Sequence, residues 1–150
     1  MACPENQTMR QFDRSLPMAL LKAREAVMKK FSPALKEHDL SPQQWRVIRV
    51  LMETDHVDAT EIAERAALLM PSLSRILQTL HRRGLIERQQ ATDDQRRSII
   101  SITATGRSLF ETLSPINEAR YAHITAQFGY GKLELLYELL DELVEKLNVG

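Results

Sequence analysis

The residues with the most chemistry to offer lie between positions 71 and 97. On a helix opening at Pro71, the polar residues Ser72, Ser74, Arg75, Gln78, Thr79, Arg82 and Arg83 fall on one side, while Leu73, Ile76, Leu77 and Leu80 fall on the other. Hydroxyl, amide and guanidinium groups along one helix face are the donors and acceptors that meet base edges and phosphates. Ser72, Ser74 and Arg75 stand at the N-terminal end, where the helix dipole adds attraction for phosphate oxygens. Every Lys/Arg position from Pro71 to Arg97 is arginine: Arg75, Arg82, Arg83, Arg88, Arg96 and Arg97 face Glu87, Asp93 and Asp94, for a net charge of +3. A planar fork that stays protonated suits bidentate contact with guanine or phosphate, whereas lysine would solvate a surface equally well. For any single residue a merely solvated helix face competes with recognition; the ordered set favours DNA.

Other chemistries find little support. The chain of 150 residues balances 20 Lys+Arg against 20 Asp+Glu, but from Thr103 onward the net charge is −3, so neutrality hides a basic head on an acidic body. His38, His56, His81 and His123 are scattered without metal-ligand spacing, and there is no P-loop, GxSxG or GxGxxG. Asp93 and Asp94 share an exposed tip that gives no pocket to tune a carboxylate. No catalytic residue, metal site or cofactor is expected. Cys3 is the only cysteine, which excludes an intrachain disulfide and reads as an incidental thiol in a polar tail. No apolar run approaches the roughly 20 residues of a membrane span and the N-terminus lacks an apolar signal core, so a cytoplasmic protein with no membrane partner is expected.

The elements that must position these groups follow from periodicity and punctuation. Residues 1–14 are polar and aperiodic and read as a flexible lead-in. A first helix is expected from Ser15 to Glu37, with Pro17 tolerated in its first turn and Pro33 kinking or thinning its last turns. Ser41, Pro42 and Gln44 announce a second helix that ends near Glu53, and Asp58 with Glu61 suggests a second capping box opening a short third. Leu68 to Pro71 forces a break and restart, and Gly84 stops the fourth helix. The period then becomes strand-like in Leu85–Gln90 and Ser98–Thr103, a hairpin with a long charged tip. Thr103 and Thr105 can cap a fifth helix that Pro115 would bend or split, and a last helix is expected from about Lys132 to Leu147. Two short helices with a tight break, followed directly by a hairpin, are the order of a winged helix-turn-helix. The expected fold is mainly α with a small β-hairpin wing, flanked by N- and C-terminal dimerisation helices. The expected units are 15–40 for dimerisation, 41–103 for DNA binding and 104–150 for dimerisation again.

With these residues in place, Gly84-Leu85-Ile86-Glu87-Arg88, Asp94-Gln95-Arg96 and Ile100-Ser101-Ile102-Thr103-Ala104-Thr105-Gly106 resemble the signature of the MarR family of bacterial regulators. The resemblance implies a winged-helix repressor whose wing tip places Arg96 in the minor groove, with Asp94 holding the tip in shape. The commoner pattern has two arginines directly after the aspartate; here Gln95 intervenes, leaving Arg97 either a second phosphate contact or a brace for Asp94. Residues 15–21, 24–27 and 43–47 are similar to the branch that represses operons for homoprotocatechuate (3,4-dihydroxyphenylacetate) degradation, which implies an aromatic carboxylate effector.

A two-fold operator on double-stranded DNA requires a two-fold protein, and the leucine stripe of the last helix with the apolar face of the first supplies a homodimer surface. An aromatic acid needs an apolar slot and a cation; Arg14, Ser15, Met18, Trp45 and Arg46 could supply them, unless Met18 and Trp45 are core and both arginines solvated. The rival functions are a regulator of another regulon, such as a stress or antibiotic response with a different effector, and a winged-helix protein-interaction module without DNA binding. The retained Arg75, Arg82, Arg83 and Arg96 speak against the interaction module.

Overall fold

A computed structural model describes residues 11–90 and 97–149. After a single 3-10 turn at Phe12–Arg14, helix α1 spans Leu16–Glu37, with the Ser15 hydroxyl accepting the Met18 N–H at 3.3 Å. It runs through Pro33 without a break, because Phe31, Ala34 and Leu35 around the proline are buried and tertiary packing holds the turn that proline weakens. Helix α2, Pro42–Glu53, carries the expected capping box: Ser41 Oγ accepts from the Gln44 N–H at 3.1 Å and Gln44 Oε1 accepts from the Ser41 N–H at 3.0 Å. Strand β1, Val57–Asp58, was not expected; two residues are too few to show a period. Helix α3, Ala59–Ala66, follows at once. Asp58 accepts the Glu61 N–H at 2.8 Å, and only this half of the second box forms, since Asp58 also belongs to the strand.

Helix α4 spans Met70–Arg82, one residue ahead of Pro71. What ends α3 is not the proline but Ala67, held left-handed at φ 54°, with the Leu68 N–H returning to the Ala63 carbonyl at 2.9 Å. The far end of α4 closes as the glycine promised: Gly84 sits at φ 74°, and the N–H groups of Gly84 and Leu85 bond the carbonyls of His81 and Leu80, each at 3.0 Å. Leu85 is thereby part of the helix stop, so strand β2 is Ile86–Gln90, paired antiparallel with β3, Ser98–Ile102, from Ile86↔Ile102 to Gln90↔Ser98. β1 pairs on the other side of β3, giving a sheet of order β1-β3-β2.

Thr103 is the cap of helix α5, Ala104–Phe128, not the last strand residue. Its hydroxyl accepts the Gly106 N–H at 3.0 Å and donates to the Gly84 carbonyl at 2.6 Å, tying the end of α4 to the start of α5. α5 is not split at Pro115; Leu113 and Asn117 on either side are buried and keep it whole. A Cβ on Gly106 would collide with the Leu85 carbonyl oxygen and come within 2.8 Å of Ile102 Cγ1, so only glycine lets α5 approach the sheet this closely. Gly129, at φ 104°, turns the chain into helix α6, Tyr130–Leu147, which begins two residues before Lys132. Leu35, Val47, Ile48, Leu51, Val57, Ile62, Leu73, Leu77, Leu80, Ile86, Ile100 and Leu113 make one fully buried cluster. Each such side chain contributes roughly 1.5–3 kcal/mol of burial. α6 contributes no buried residue to it. No helix of the described residues is long and apolar enough to cross a membrane.

Candidate nucleic-acid interface and ligand cavity

The core decides what α4 can show to solvent. Leu73, Leu77 and Leu80 are buried and Ile76 packs against them, which rotates Ser72, Ser74, Arg75, Gln78 and Arg82 outward, with Thr79 half-buried at the margin. The Arg82 Nη2 donates to Thr79 Oγ1 at 3.3 Å, one turn back along the same face. No side chain caps the first turn of α4, leaving its N–H groups available beside Ser72 and Ser74. Arg88 projects from β2, the strand that rises from the end of this helix.

Arg83 stands apart from the set in which the sequence placed it. Its Nη1 donates to the Asp39 carbonyl at 2.6 Å and its Nη2 to the His38 carbonyl at 3.1 Å, so its fork closes over the C-terminus of α1. The unpaired carbonyls at a helix end attract a cation, and here they draw the guanidinium back from the reading face. Arg97 has its Nε 3.8 Å from Asp58 Oδ2, next to the cap of α3, which puts it at the base of the wing. Asp94 and Arg96 lie outside the described residues.

A cavity of about 360 Å³ opens between α1, α2 and α5. Its walls are apolar where Val27, Met28, Phe31, Leu35, Val50 and Ala66 line it, and aromatic at Trp45 and Tyr121. The rings are fixed by their neighbours: Trp45 stacks on Phe110 with centroids 5.4 Å apart, and Phe31 meets Tyr121 at 4.8 Å and a tilt of 54°. The polar groups are Arg24, Arg46, Arg49, Arg65, Glu53 and Asn117. Arg65 is engaged, donating to Glu53 Oε2 and Thr54 Oγ1 at 2.7 Å each, and Arg49 lies 3.8 Å from Glu53 Oε1. By contrast, Arg46 Nε and Asn117 Oδ1 are buried without a hydrogen-bond partner in the described residues, and Asn117 as a whole is only 5% exposed. Burial, then the charge of Arg24, holds the Arg46 guanidinium below its ordinary pKa. Such a slot offers an aromatic ring flat contact, offers an anion the unpaired Arg46 Nε donor, and offers a hydroxyl the unpaired Asn117 Oδ1 acceptor.

Trp45 and Arg46 were expected at a ligand site and line this cavity; Arg14, Ser15 and Met18 do not line it within their own chain. Arg14 is an exposed residue of the 3-10 turn, Ser15 caps α1, and Met18 lies roughly 9 Å along the helix before Arg24, the first α1 residue to reach the cavity. Sequence reasoning missed Arg24, Arg49, Asn117 and Tyr121. A usable signal existed: Trp45 and Arg49 are four apart, as are Leu113, Asn117 and Tyr121, and an asparagine inside an apolar stripe points a polar group at the interior.

A family model described as "MarR family" matches residues 38–97. The chain is 42% identical over 130 residues to the homoprotocatechuate degradative operon repressor of Escherichia coli, an alignment spanning 87% of this chain and 88% of that one. Among solved structures, NadR in complex with 4-hydroxyphenylacetate superposes with a TM-score of 0.77 at 37% identity, covering 91% of this chain and 97% of that one. Ligand-free NadR gives 0.81 at 35% identity, covering 89% and 96%.

Proposed function

The chain belongs to the MarR family of transcription regulators, and from that premise we propose that it is a homodimeric repressor that binds a palindromic operator and releases it on binding a small aromatic carboxylate. The observation that carries the DNA reading is α4 itself: its apolar residues are committed to the core while Ser72, Ser74, Arg75 and Gln78 face solvent around an uncapped N-terminus. Helices of this kind enter the major groove N-terminal end first, and hydroxyl, amide and arginine groups there read base edges and hold phosphates. Arg82, Thr79 and Arg97 extend the surface, with Asp94 and Arg96 assigned to the wing tip by the family resemblance. A repressor acts where the chromosome is, so the proposed compartment is the cytoplasm.

Dimerisation rests on the helices outside the lobe. α6 exposes Leu135 at 53% and Leu139 at 53%, and α1 exposes Leu16, Leu20 and Leu21, more apolar surface than a monomer of this size usually leaves to water. Residues 15–40 and 104–150 are therefore read as the dimerisation helices and 41–103 as the DNA-binding unit. The effector reading is supported by the cavity's pairing of Trp45 and Tyr121 with unpartnered Arg46 and Asn117 groups, and by the 4-hydroxyphenylacetate bound by NadR. A hydroxylated ring with a carboxylate satisfies both kinds of group, the carboxylate accepting from Arg46 Nε and the ring hydroxyl donating to Asn117 Oδ1; a purely apolar ligand would leave them unpaired.

Selection of bound fragments from the protein's own genome supplies the operator, and fluorescence anisotropy then measures affinity with and without 4-hydroxyphenylacetate. The expected results are affinity that falls steeply with salt, as counterion release requires, and weaker binding when the acid is present. Flat salt dependence favours an interaction module instead, and indifference to aromatic acids removes the effector.

A further inference from the structure

Arg46 borders two cavities. One is the aromatic slot between α1, α2 and α5; the other, of about 420 Å³, adjoins it on the neighbouring face of α2, where Ser72 and Arg75 of the first turns of α4 line it together with Ala67, Leu68 and Leu69. Arg46 lines both; the other arginines of the aromatic slot, Arg24, Arg49 and Arg65, line the first alone. Its Nε is buried without a partner, and the like charge of Arg24 stands near it. A guanidinium that borders both cavities has donors to give to each, and an unpaired Nε that an anion would satisfy.

We propose that Arg46 is a positioning residue that reports occupancy of the aromatic slot to the DNA-reading helix. The inference rests on the functional reading above. A carboxylate in the slot accepts from Arg46 and holds the fork on that side; charge and packing are thereby withdrawn from beneath Ser72 and Arg75. Leu73 anchors the apolar side of the first turn of α4 in the core, and the polar side, at Ser72 and Arg75, is the side that shares a cavity with Arg46. Without the ligand, the side chain is free to support the turn. Coupling of this kind is reciprocal: DNA that favours the supported turn weakens the acid by the same factor.

The test separates ligand affinity from the effect of bound ligand. Operator binding of the full-length protein is measured by anisotropy at increasing 4-hydroxyphenylacetate up to saturation, with ligand affinity taken from calorimetry. Wild type is expected to lose operator affinity at saturation by about 10-fold or more, within the usual range of allosteric coupling. Arg49→Met, which touches only the slot, is expected to bind the acid more weakly yet reach the same loss once saturated. Arg46→Met, which lacks the support that bound acid withdraws, is expected to bind operator without ligand about as weakly as saturated wild type does, and to lose less than about threefold more when the acid is added. Arg46→Lys, which keeps a charge on a flexible stem and guards against a misfolded methionine variant, is expected to be intermediate. Full release at saturation in either Arg46 variant overturns the proposal. A wild type that binds the acid without releasing DNA, or does not bind it, overturns the functional reading itself, which is a different result.

Discussion

The winged lobe and the terminal helices are built to different standards of closure. In the lobe, α2, α3, α4 and the sheet bury Val47, Ile48, Ile62, Leu73, Leu80 and Ile100 completely; α2 and α3 open on side-chain caps and α4 closes at Gly84, leaving only its N-terminus uncapped among these helices. α6 has eighteen residues and buries none, with Leu135, Leu136, Leu139, Val144 and Leu147 all exposed. Leu133, Leu136, Leu140, Leu143 and Leu147 recur at alternating steps of three and four, the spacing of a helix that packs along its length against another. A lobe that is finished alone and helices that are not teach that the apolar faces of α1 and α6 are left for a second copy of the chain.

The strongest way to break that contrast is to charge the open face. Leu135→Glu with Leu139→Glu is expected to give a monomer in sedimentation velocity and to weaken operator binding by about 10²- to 10⁴-fold, the effective-concentration advantage of two linked reading heads. Near-ultraviolet circular dichroism from Trp45 should persist, because the lobe does not need those leucines. Dimers in the double variant would sink the assignment of α6.

Within the lobe the opposite is expected. Leu77→Ala leaves a cavity in a closed core and should lower stability by about 3 kcal/mol in urea unfolding without changing the association state. Gly106→Ala tests the seam between the two regions: α5 would have to retreat from Leu85 and Ile102, and a melting temperature unchanged from wild type would show that the close approach is not obligatory.

Much of the lobe was legible because its signals are local. Ser41 with Gln44, Gly84 after Arg83, and the alternation Ile100-Ser101-Ile102 each specify one element within a few residues. The departures came where a longer-range contact overrode a local rule: Pro33 and Pro115 stay inside helices whose buried neighbours hold them, and β1 exists only because β3 is there to pair with it. The ligand cavity was half legible for the same reason. Trp45 and Arg46 were found; the four-residue spacing of Asn117 and Tyr121 marks one face of α5, but no spacing rule brings that face together with Arg24 of α1 and Trp45 of α2.

On the reading face, Arg75→Ala is expected to cost about 2 kcal/mol of operator affinity, since an exposed arginine near the N-terminus of α4 is positioned to meet bases or phosphates. Unchanged affinity would remove Arg75 from the contact set and weaken the case for α4 as the reading helix.

Arg83 sharpens the comparison with the smallest effect, because it is the arginine that ties the lobe back to α1. Its two bonds to the His38 and Asp39 carbonyls join the end of the reading helix to the end of α1, which carries one wall of the cavity. Both bonds lie at an exposed site, so Arg83→Gln should lower stability by only about 1 kcal/mol. The informative measurement is the salt dependence of operator binding. A phosphate contact contributes about 0.9 to the slope of log affinity against log salt, and a residue committed to carbonyls contributes nothing. An unchanged slope in Arg83→Gln, beside a reduced slope in any variant that removes a true phosphate contact, separates strut from reader; a slope reduced by about 0.9 would mean that the guanidinium leaves α1 for the DNA.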